Sequence, residues 1–406
     1  MKTVIRPETE MKDSGIEYVG AIPKDWDLVR LRAYFGERKN KNKDGNETNL
    51  LSLSYGRIIR KNIDKTDGLL PASFNTYNIV EKNDIIIRPT DLQNDKRSLR
   101  TGLVTEHGII TSAYIDLMPI GNVDSRFVHY LLHSYDILKV FYNMGSGVRQ
   151  GLNYSEFSKL KVPMPLLSEQ QAIADYLDKT CSKIDEIIAE AKASIDEYKE
   201  LKQSVIFEAV TKGLDKNVEM KDSGSYWIGV IPLTWSVIKT KYVIKIENGS
   251  DPSTEGNTPV YGSGANSFKT CGEYKEGPTV LLGRKGATLH IPHYIEGRYW
   301  NVDTAFNTIS IEEKINLKYF YYVACCFDYN RYISQTTLPG MTQTSYRNIY
   351  IPYPPMTVQN RIVLWLDNKI DELDSLIAEK QSLIADLEAY KKSLIYEVVT
   401  GKRKVV

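Results

Sequence analysis

The sequence predicts a tandem duplication: two α/β (α+β) domains joined by two long antiparallel helices that form a coiled coil, the halves being related by a pseudo-twofold. Three observations predict it. The stretch MKDSGIEYVGAIPKDW (Met11 to Trp26) returns as MKDSGSYWIGVIPLTW (Met220 to Trp235), with nine of sixteen positions identical at a constant offset of 209. A second repeat, beginning VPMPLLSEQQAIADYLD at Val162 and IPYPPMTVQNRIVLWLD at Ile351, keeps an offset of 189, and seventeen of the fifty positions from Val162 to Thr211 are identical. The offsets differ by twenty residues, so the material between the repeats changes length and sequence while the repeats stay in step. That is the pattern of a duplicated unit carrying two divergent inserts.

The elements follow in chain order. Residues 1–27 form an N-terminal clasp motif broken by Gly and Pro, with Tyr18 and Trp26 as apolar grips. Residues 28–161 are the first insert, a mixed unit with short β-type runs such as NDIIIRP and an exit helix in SRFVHYLLHSYDILKVFY. Residues 162–219 hold the central repeat. After its Pro-x-Pro break, Ser168 is the expected N-cap of a long helix, and Thr357 is its counterpart in the C-terminal repeat, residues 351–406. Residues 220–236 are the second clasp, with Trp227 and Trp235. Residues 237–350 are the second insert, with the runs GPTVLLG and NTISI and a helix in NLKYFYYVACCFDYNRYI.

Apolar residues recur on the long helices at alternating spacings of four and three. Ile184, Ile188 and Ile195 mark the first seam, and Leu373, Ile377 and Ile384 the second, interrupted at Lys202, Lys380 and Lys391. Each seam could pack on its own globular domain. Two equal seams in one duplicated chain fit better against each other, antiparallel, given the pseudo-twofold. The middle clasp follows directly on the first long helix, whereas only GKRKVV follows the second. The N-terminal clasp is therefore expected to fold back onto the end of the C-terminal helix.

Composition is that of an ordinary soluble globular protein: 406 residues, 42% hydrophobic and 25% charged, with 52 basic against 51 acidic residues for a net charge of +1. Freestanding DNA binders are usually more basic, so composition argues weakly against DNA, while leaving open local patches or a partner that brings its own charge. No apolar run approaches the roughly 20 residues of a membrane span. The polar opening MKTVIRPETE reads as no signal segment, and Cys181, Cys271, Cys325 and Cys326 lack a paired framework. A reduced, cytoplasmic setting is expected.

Catalytic signatures are missing. Gly262 and Gly264 lack the third glycine of a dinucleotide fingerprint, and no phosphate-binding GxxxxGK[ST] loop occurs. His129 with His133, and His290 with His293, have no further ligands at metal spacing, so no metal site is expected. PYPP (Pro352 to Pro355) duplicates the earlier Pro-x-Pro and reads as structural rather than as a methyltransferase signature. What remains are Gly-flexible loops bearing basic and amide groups suited to phosphate contact and base-edge reading. They are RPTDLQNDKRSLRTG and GSGVRQGLNYS in the first insert, and TPVYGSGANSF and LLGRKGATLHIPHY in the second. By composition alone each of these is more often a solvated loop.

The arrangement resembles the specificity subunit of type I restriction-modification systems across essentially the whole chain. The resemblance rests on GAIPKDW/GVIPLTW, the two Pro-x-Pro repeats, the IDEIIAE/LDSLIAE seams, YGSG (Tyr261 to Gly264), GRKG (Gly283 to Gly286) and VDTAF (Val302 to Phe306). It implies a non-catalytic DNA-recognition protein in which each insert is a target recognition domain for one half of a split, asymmetric site. The helices would space the half-sites and dock two modification subunits, with two motor-nuclease subunits joining for restriction. No cofactor is implied in this chain; S-adenosylmethionine, ATP and magnesium belong to the partners. The DNA-facing residues implied are Arg88, Arg97, Arg149, Gln150 and Tyr154 in the first domain, and Tyr261, Arg284, Lys285, Thr288, Gln343 and Tyr346 in the second. A methyltransferase-only system, or a non-DNA scaffold with protein-binding inserts, are the competing readings.

Overall fold

In the computed structural model, which describes residues 2–63, 73–90, 92, 99–144, 151–264, 266–333 and 339–406, each Pro-x-Pro repeat is a strand that runs into a long helix. Lys161–Met164 pairs antiparallel with Asp27–Arg30, Val162 facing Val29, and Tyr350–Tyr353 pairs with Ser236–Lys239, Ile351 facing Ile238. The register is the same in both copies. The helices are, in chain order, α1 (Ser125–Ile137), α2 (Tyr154–Phe157), α3 (Leu167–Lys212), α4 (Leu317–Ala324), α5 (Gln343–Arg347) and α6 (Met356–Val399). Two compact units divide the chain, Met1–Glu190 with Leu383–Val406 and Ala191–Ser382, so α3 and α6 each contribute to both.

In the first unit, the four strands Phe35–Glu37, Ile85–Ile87, Thr101–Leu103 and Ile115–Pro119 make one antiparallel sheet. Its order runs from the first strand to the last, then to the second and third. The second unit repeats that order with Ile244–Asn248, Ala305–Ser310, Thr279–Gly283 and His293–Ile295. Antiparallel sheets with segregated helices make these α+β domains. Two inserts of unlike sequence thus share one four-stranded sheet order, while the second adds another sheet in which Thr258–Tyr261 and Arg298–Asn301 run parallel.

Each unit holds the two long helices antiparallel. In the first, the Trp26 indole donates to Glu169 in the opening turn of α3, and the same ring abuts Gly401, just beyond α6. Further along, Lys391 of α6 donates to Asp185 of α3 at 2.6 Å. In the second unit Gly213, just beyond α3, lies against Trp235, while Lys202 of α3 meets Asp374 of α6 at 2.8 Å. Gly401 (φ +74°) and Gly213 (φ +76°) stop their helices in the left-handed conformation that glycine adopts without strain. Two of the three lysines interrupting the seams are therefore ion-pairing positions. Ile184, Ile188, Ile195 and Leu373 are buried, whereas Ile377 and Ile384 are only half-buried. Thr3–Ile5 pairs antiparallel with Arg403–Val405, which folds the N-terminal clasp onto the end of α6, and the buried Arg6 guanidinium reaches Glu169.

The helix caps lie two residues earlier than expected. α3 begins at Leu167 and α6 at Met356, with the Leu166 and Pro355 carbonyls accepting the first helical N–H groups. Ser168 and Thr357 thus lie inside the first turn. The reason is a buried glutamine one turn in. Gln170 donates Nε2 to the Pro165 carbonyl at 2.9 Å, and its Oε1 accepts the backbone N–H of Asp124, the N-cap of α1, at 3.0 Å. Gln359 does the same with Pro354 (2.9 Å) and with Asn316, the N-cap of α4 (2.9 Å). Two turns on, Asp178 accepts from Tyr130 (2.8 Å) and pairs with Arg126, and Asp367 accepts from Tyr322 (2.5 Å) and pairs with Lys318. Each domain is thereby bolted to its long helix by the same three groups.

The first sheet also buries charge. Arg38 grips Asp84 with two hydrogen bonds of 2.7 and 3.1 Å, and Asp116 lies behind them, fully buried, with neither carboxylate oxygen accepting a hydrogen bond among the described residues. Burial, then the neighbouring Asp84 charge, push the Asp116 carboxyl up to about 8, against the pull of Arg38.

Two outcomes follow. Gln359→Leu leaves the Pro354 carbonyl and the Asn316 N–H without their partner, and should cost about 1–3 kcal/mol in denaturant unfolding; Gln170→Leu should cost the same in the first unit. Asp116 is favoured neutral in the folded state, so folding takes up a proton. Stability should therefore fall as pH rises from about 4, the ordinary carboxyl range, to about 8 and then level off. Asp116→Asn should flatten that slope in melting curves recorded across this range.

Candidate nucleic-acid interface

In the second unit three loops, two of them containing glycine, converge beyond the sheet. Thr279–Gly283 ends where a side chain could not fit, since a Cβ on Gly283 would stand 2.3 Å from the Leu289 backbone. The chain then turns through Arg284 and Lys285. The Arg284 N–H donates to the Thr304 carbonyl at 2.8 Å, tying GRKG to VDTAF. Met341 donates its N–H to the Arg284 carbonyl at 2.9 Å, and Lys285 bridges Gly340, which brings in the loop preceding α5. Thr342 caps α5 by accepting the Ser345 N–H at 3.1 Å. Residues separated by more than fifty positions thus share one groove of about 620 Å³, lined by Asn248, Arg284, Lys285, Phe306, Thr342 and Gln343 among others.

The side chains in this groove are held rather than loose. Arg284 donates Nη1 to the Asp303 carbonyl at 3.2 Å, its guanidinium 5.9 Å from the Phe306 ring centroid. Gln343 donates Nε2 to Asn248 Oδ1 at 3.1 Å. Lys285 is exposed. The arrangement offers a cation, a stacked guanidinium and an oriented amide, which are the groups that contact phosphate and read base edges.

The other expected residues divide. Thr288 is exposed but does not line the groove. Tyr261 is half-buried beside a separate cavity of about 380 Å³ with His293, Tyr294 and Tyr321. Tyr346 is a correction: at 0% exposure it belongs to the core, edge-on to Phe306, with its hydroxyl donating to the Gly283 carbonyl at 2.7 Å. Burial pushes that phenol well above its usual range. Tyr346 holds the groove's floor and presents nothing to a ligand. Asn248 went unnoticed in the sequence, where an Asn closing a strand before Gly reads as a turn residue.

The first unit repeats the junction: Leu152 donates to the Pro89 carbonyl at 3.0 Å, and Asn153 caps α2 by accepting the Glu156 N–H at 3.0 Å. Arg88 is half-buried, its carbonyl accepting from the fully buried Arg100 at 3.2 Å. Tyr154 is half-buried and gives its hydroxyl to the Phe35 carbonyl at 2.8 Å. Arg97, Arg149 and Gln150 lie outside the described residues. His129 and His133 line a cavity of about 800 Å³ on the other side of α1, where burial lowers both imidazoles to about 4. Among the described residues no group of three or more His, Cys, Asp or Glu is placed to hold a metal, and no helix is long and apolar enough to cross a membrane.

Since Tyr346 acts through one hydrogen bond and its ring, Tyr346→Phe should lower stability by about 1 kcal/mol in denaturant unfolding. Tyr346→Ala should cost about 3–5 kcal/mol by emptying the floor.

Comparison with known proteins fits this layout. Residues 23–197 and 232–385 match the family model described as the type I restriction modification DNA specificity domain. The type I restriction enzyme MjaVIII specificity subunit of Methanocaldococcus jannaschii is 23% identical over 95% of this chain and 94% of its own. The putative MjaX specificity subunit of the same organism is also 23% identical, over 95% and 96%. Among solved structures, a chain from a study of complex assembly and conformational transition in the type I R-M system superposes with a TM-score of 0.73 at 14% identity, covering 94% of this chain and 99% of that one. The HsdS subunit from Thermoanaerobacter tengcongensis gives 0.54 at 15% identity, covering 94% and 98%; at such identities these likenesses speak for the fold. Two matched domains, each the end of one clasp, one insert and most of one long helix, place the protein with its relatives among the non-catalytic specificity components: the chain belongs to the type I restriction-modification DNA specificity family.

Proposed function

We propose that this specificity subunit reads a bipartite, asymmetric DNA site, with residues 28–161 and 237–350 as the two target recognition domains, one for each half. The observation that carries the reading is the pairing of sameness and difference. Both inserts keep one sheet order and one set of bolts to α3 and α6, yet their groove-side residues differ: Pro89 stands where Arg284 does, and Tyr154 where Gln343 does. A homologous frame with unlike reading groups suits a site whose halves are unlike. The long helices act as the spacer that sets the unread gap, and with the clasps (1–27 and 220–236) they dock two modification subunits, with two motor-nuclease subunits joining for restriction. S-adenosylmethionine, ATP and magnesium are the partners' cofactors.

In the second domain Arg284, Lys285 and Gln343 are the leading base- and phosphate-facing groups, supported by their convergence on one groove, with Thr288 and Tyr261 at its approaches. In the first domain that role falls to Arg88 and Tyr154 together with Arg97, Arg149 and Gln150.

The test is methylome mapping of cells carrying the chain with its modification partner. The expected result is a split methyladenine motif that appears only with this gene. Arg284→Ala should relax or abolish one half of that motif, by roughly 5- to 150-fold in methylation rate if it makes one bidentate base contact, while co-purification with the partner is unchanged. An unaltered motif and rate would remove Arg284 from the interface.

A further inference from the structure

We propose that Asn248 is a positioning residue for base recognition: it fixes the Gln343 side-chain amide in the orientation that reads adenine. This rests on the reading that the Arg284–Gln343 groove faces DNA, and adds to it the base and the residue that selects it.

A primary amide is by itself an ambiguous reader, because half a turn about its last bond exchanges its acceptor with its donors. Gln343 is not free to make that turn. One of its two Nε2 N–H groups is given to Asn248 Oδ1 at 3.1 Å, and both residues line the groove. Among the described residues Oε1 and the second N–H make no other hydrogen bond, and under the proposal they face the ligand as acceptor and donor.

In the major groove adenine presents an N6 amino donor beside the N7 acceptor, the complement of that pair. Guanine presents two acceptors, O6 and N7, so its O6 would confront Oε1. Thymine offers an acceptor beside a methyl group, and cytosine a lone donor. Only adenine satisfies both atoms of the oriented amide.

The clamp is held from both backbones. Asn248 ends the strand Ile244–Asn248 and is paired opposite Phe306 in the adjoining strand. Gln343 opens α5, whose start is capped by Thr342 and whose next turn is anchored by buried Tyr346 on the Gly283 carbonyl. These contacts fix where the two side chains start, and the hydrogen bond between them opposes the turn of the Gln343 amide.

The experiment uses the full chain assembled with its modification subunits, as wild type, Asn248→Asp, Asn248→Leu and Gln343→Ala. Binding is measured to a duplex carrying the mapped site and to duplexes in which each adenine of one half-site is replaced by 7-deazaadenine, which lacks only the N7 acceptor. For the wild type, one position in the half-site read by the second domain should lose about tenfold in affinity, within the range of a single base contact. Asn248→Asp, which can still accept the Gln343 N–H, should keep that loss; Asn248→Leu and Gln343→Ala should erase it. Should Asn248→Leu fail to assemble, Asn248→Ala, which removes the acceptor without adding bulk, takes its place, and a response that survives loss of that acceptor overturns the positioning role. No responsive adenine in the wild type, or a response that survives in Gln343→Ala, overturns the proposal. If Arg284→Ala relaxes a half-site while no adenine there responds, the groove still faces DNA and only the adenine assignment falls. If neither Arg284→Ala nor Gln343→Ala alters site choice, the groove assignment falls with it.

Discussion

A buried glutamine amide organises each half of this molecule. Gln170 and Gln359 satisfy at once a proline carbonyl that has lost its strand partner and the N–H at the start of a domain helix. A buried amide with both ends matched is worth far more than its hydrogen bonds suggest, because any replacement strands two backbone groups away from water. The same amide sets where the long helix begins and where the variable domain attaches. Asp178 and Asp367, two turns further on, fix the orientation with a tyrosine and a cation. The inserts are free to diverge everywhere except at the few positions that meet these groups. That division explains why two repeats at different offsets remain in step around inserts of different length.

Much of this was legible in the sequence, for identifiable reasons. Duplicated stretches survive where both copies meet the same partners, so Gln170, Leu177 and Asp178 match Gln359, Leu366 and Asp367. Long helices show a sustained apolar period, which needs no tertiary information to read. The common sheet was not legible. Its strands are as short as three residues, such as Ile85–Ile87, and in the second unit the first strand pairs with the last across most of the insert, Ile244 facing Ser310. Such pairing is set by the packed whole rather than by local pattern. The helix caps lie two residues earlier than local pattern suggests for a related reason: Ser168 and Thr357 are good caps locally, but the reach of Gln170 and Gln359 to the proline carbonyls wins.

The site was legible in parts. GRKG stood out in a Gly-flexible loop and VDTAF as a stretch carrying the resemblance, and the structure does tie them together through Arg284 and Thr304. The third loop is joined by backbone contacts of Arg284, Lys285 and Gly286 with residues 339–341, which no motif announces. Tyr346 was misjudged because an aromatic beside a glycine-rich loop looks like a stacking group, whereas its spacing along α5 turns it into the floor. The opposite error hid Asn248, a small polar residue whose role exists only through Gln343.

The near-neutral charge now has a structural meaning. Many of the basic side chains are already committed to carboxylates inside a unit: Arg6 to Glu169, Arg38 to Asp84, Arg126 to Asp124, Asp175 and Asp178, Lys202 to Asp374, and Lys391 to Asp185. A cation engaged in this way contributes little to phosphate neutralisation, and phosphate neutralisation supplies most non-specific DNA affinity. Under the proposed reading the chain therefore discriminates among sequences with a few oriented groups and leaves the bulk of the electrostatic attraction to its partners. The arrangement has an advantage for a subunit that must find one split site among many. A reader that holds DNA weakly by charge gains most of its affinity only when its oriented groups are matched, so the ratio of specific to non-specific binding is set by contacts such as those of Arg284 and Gln343 rather than diluted by the backbone.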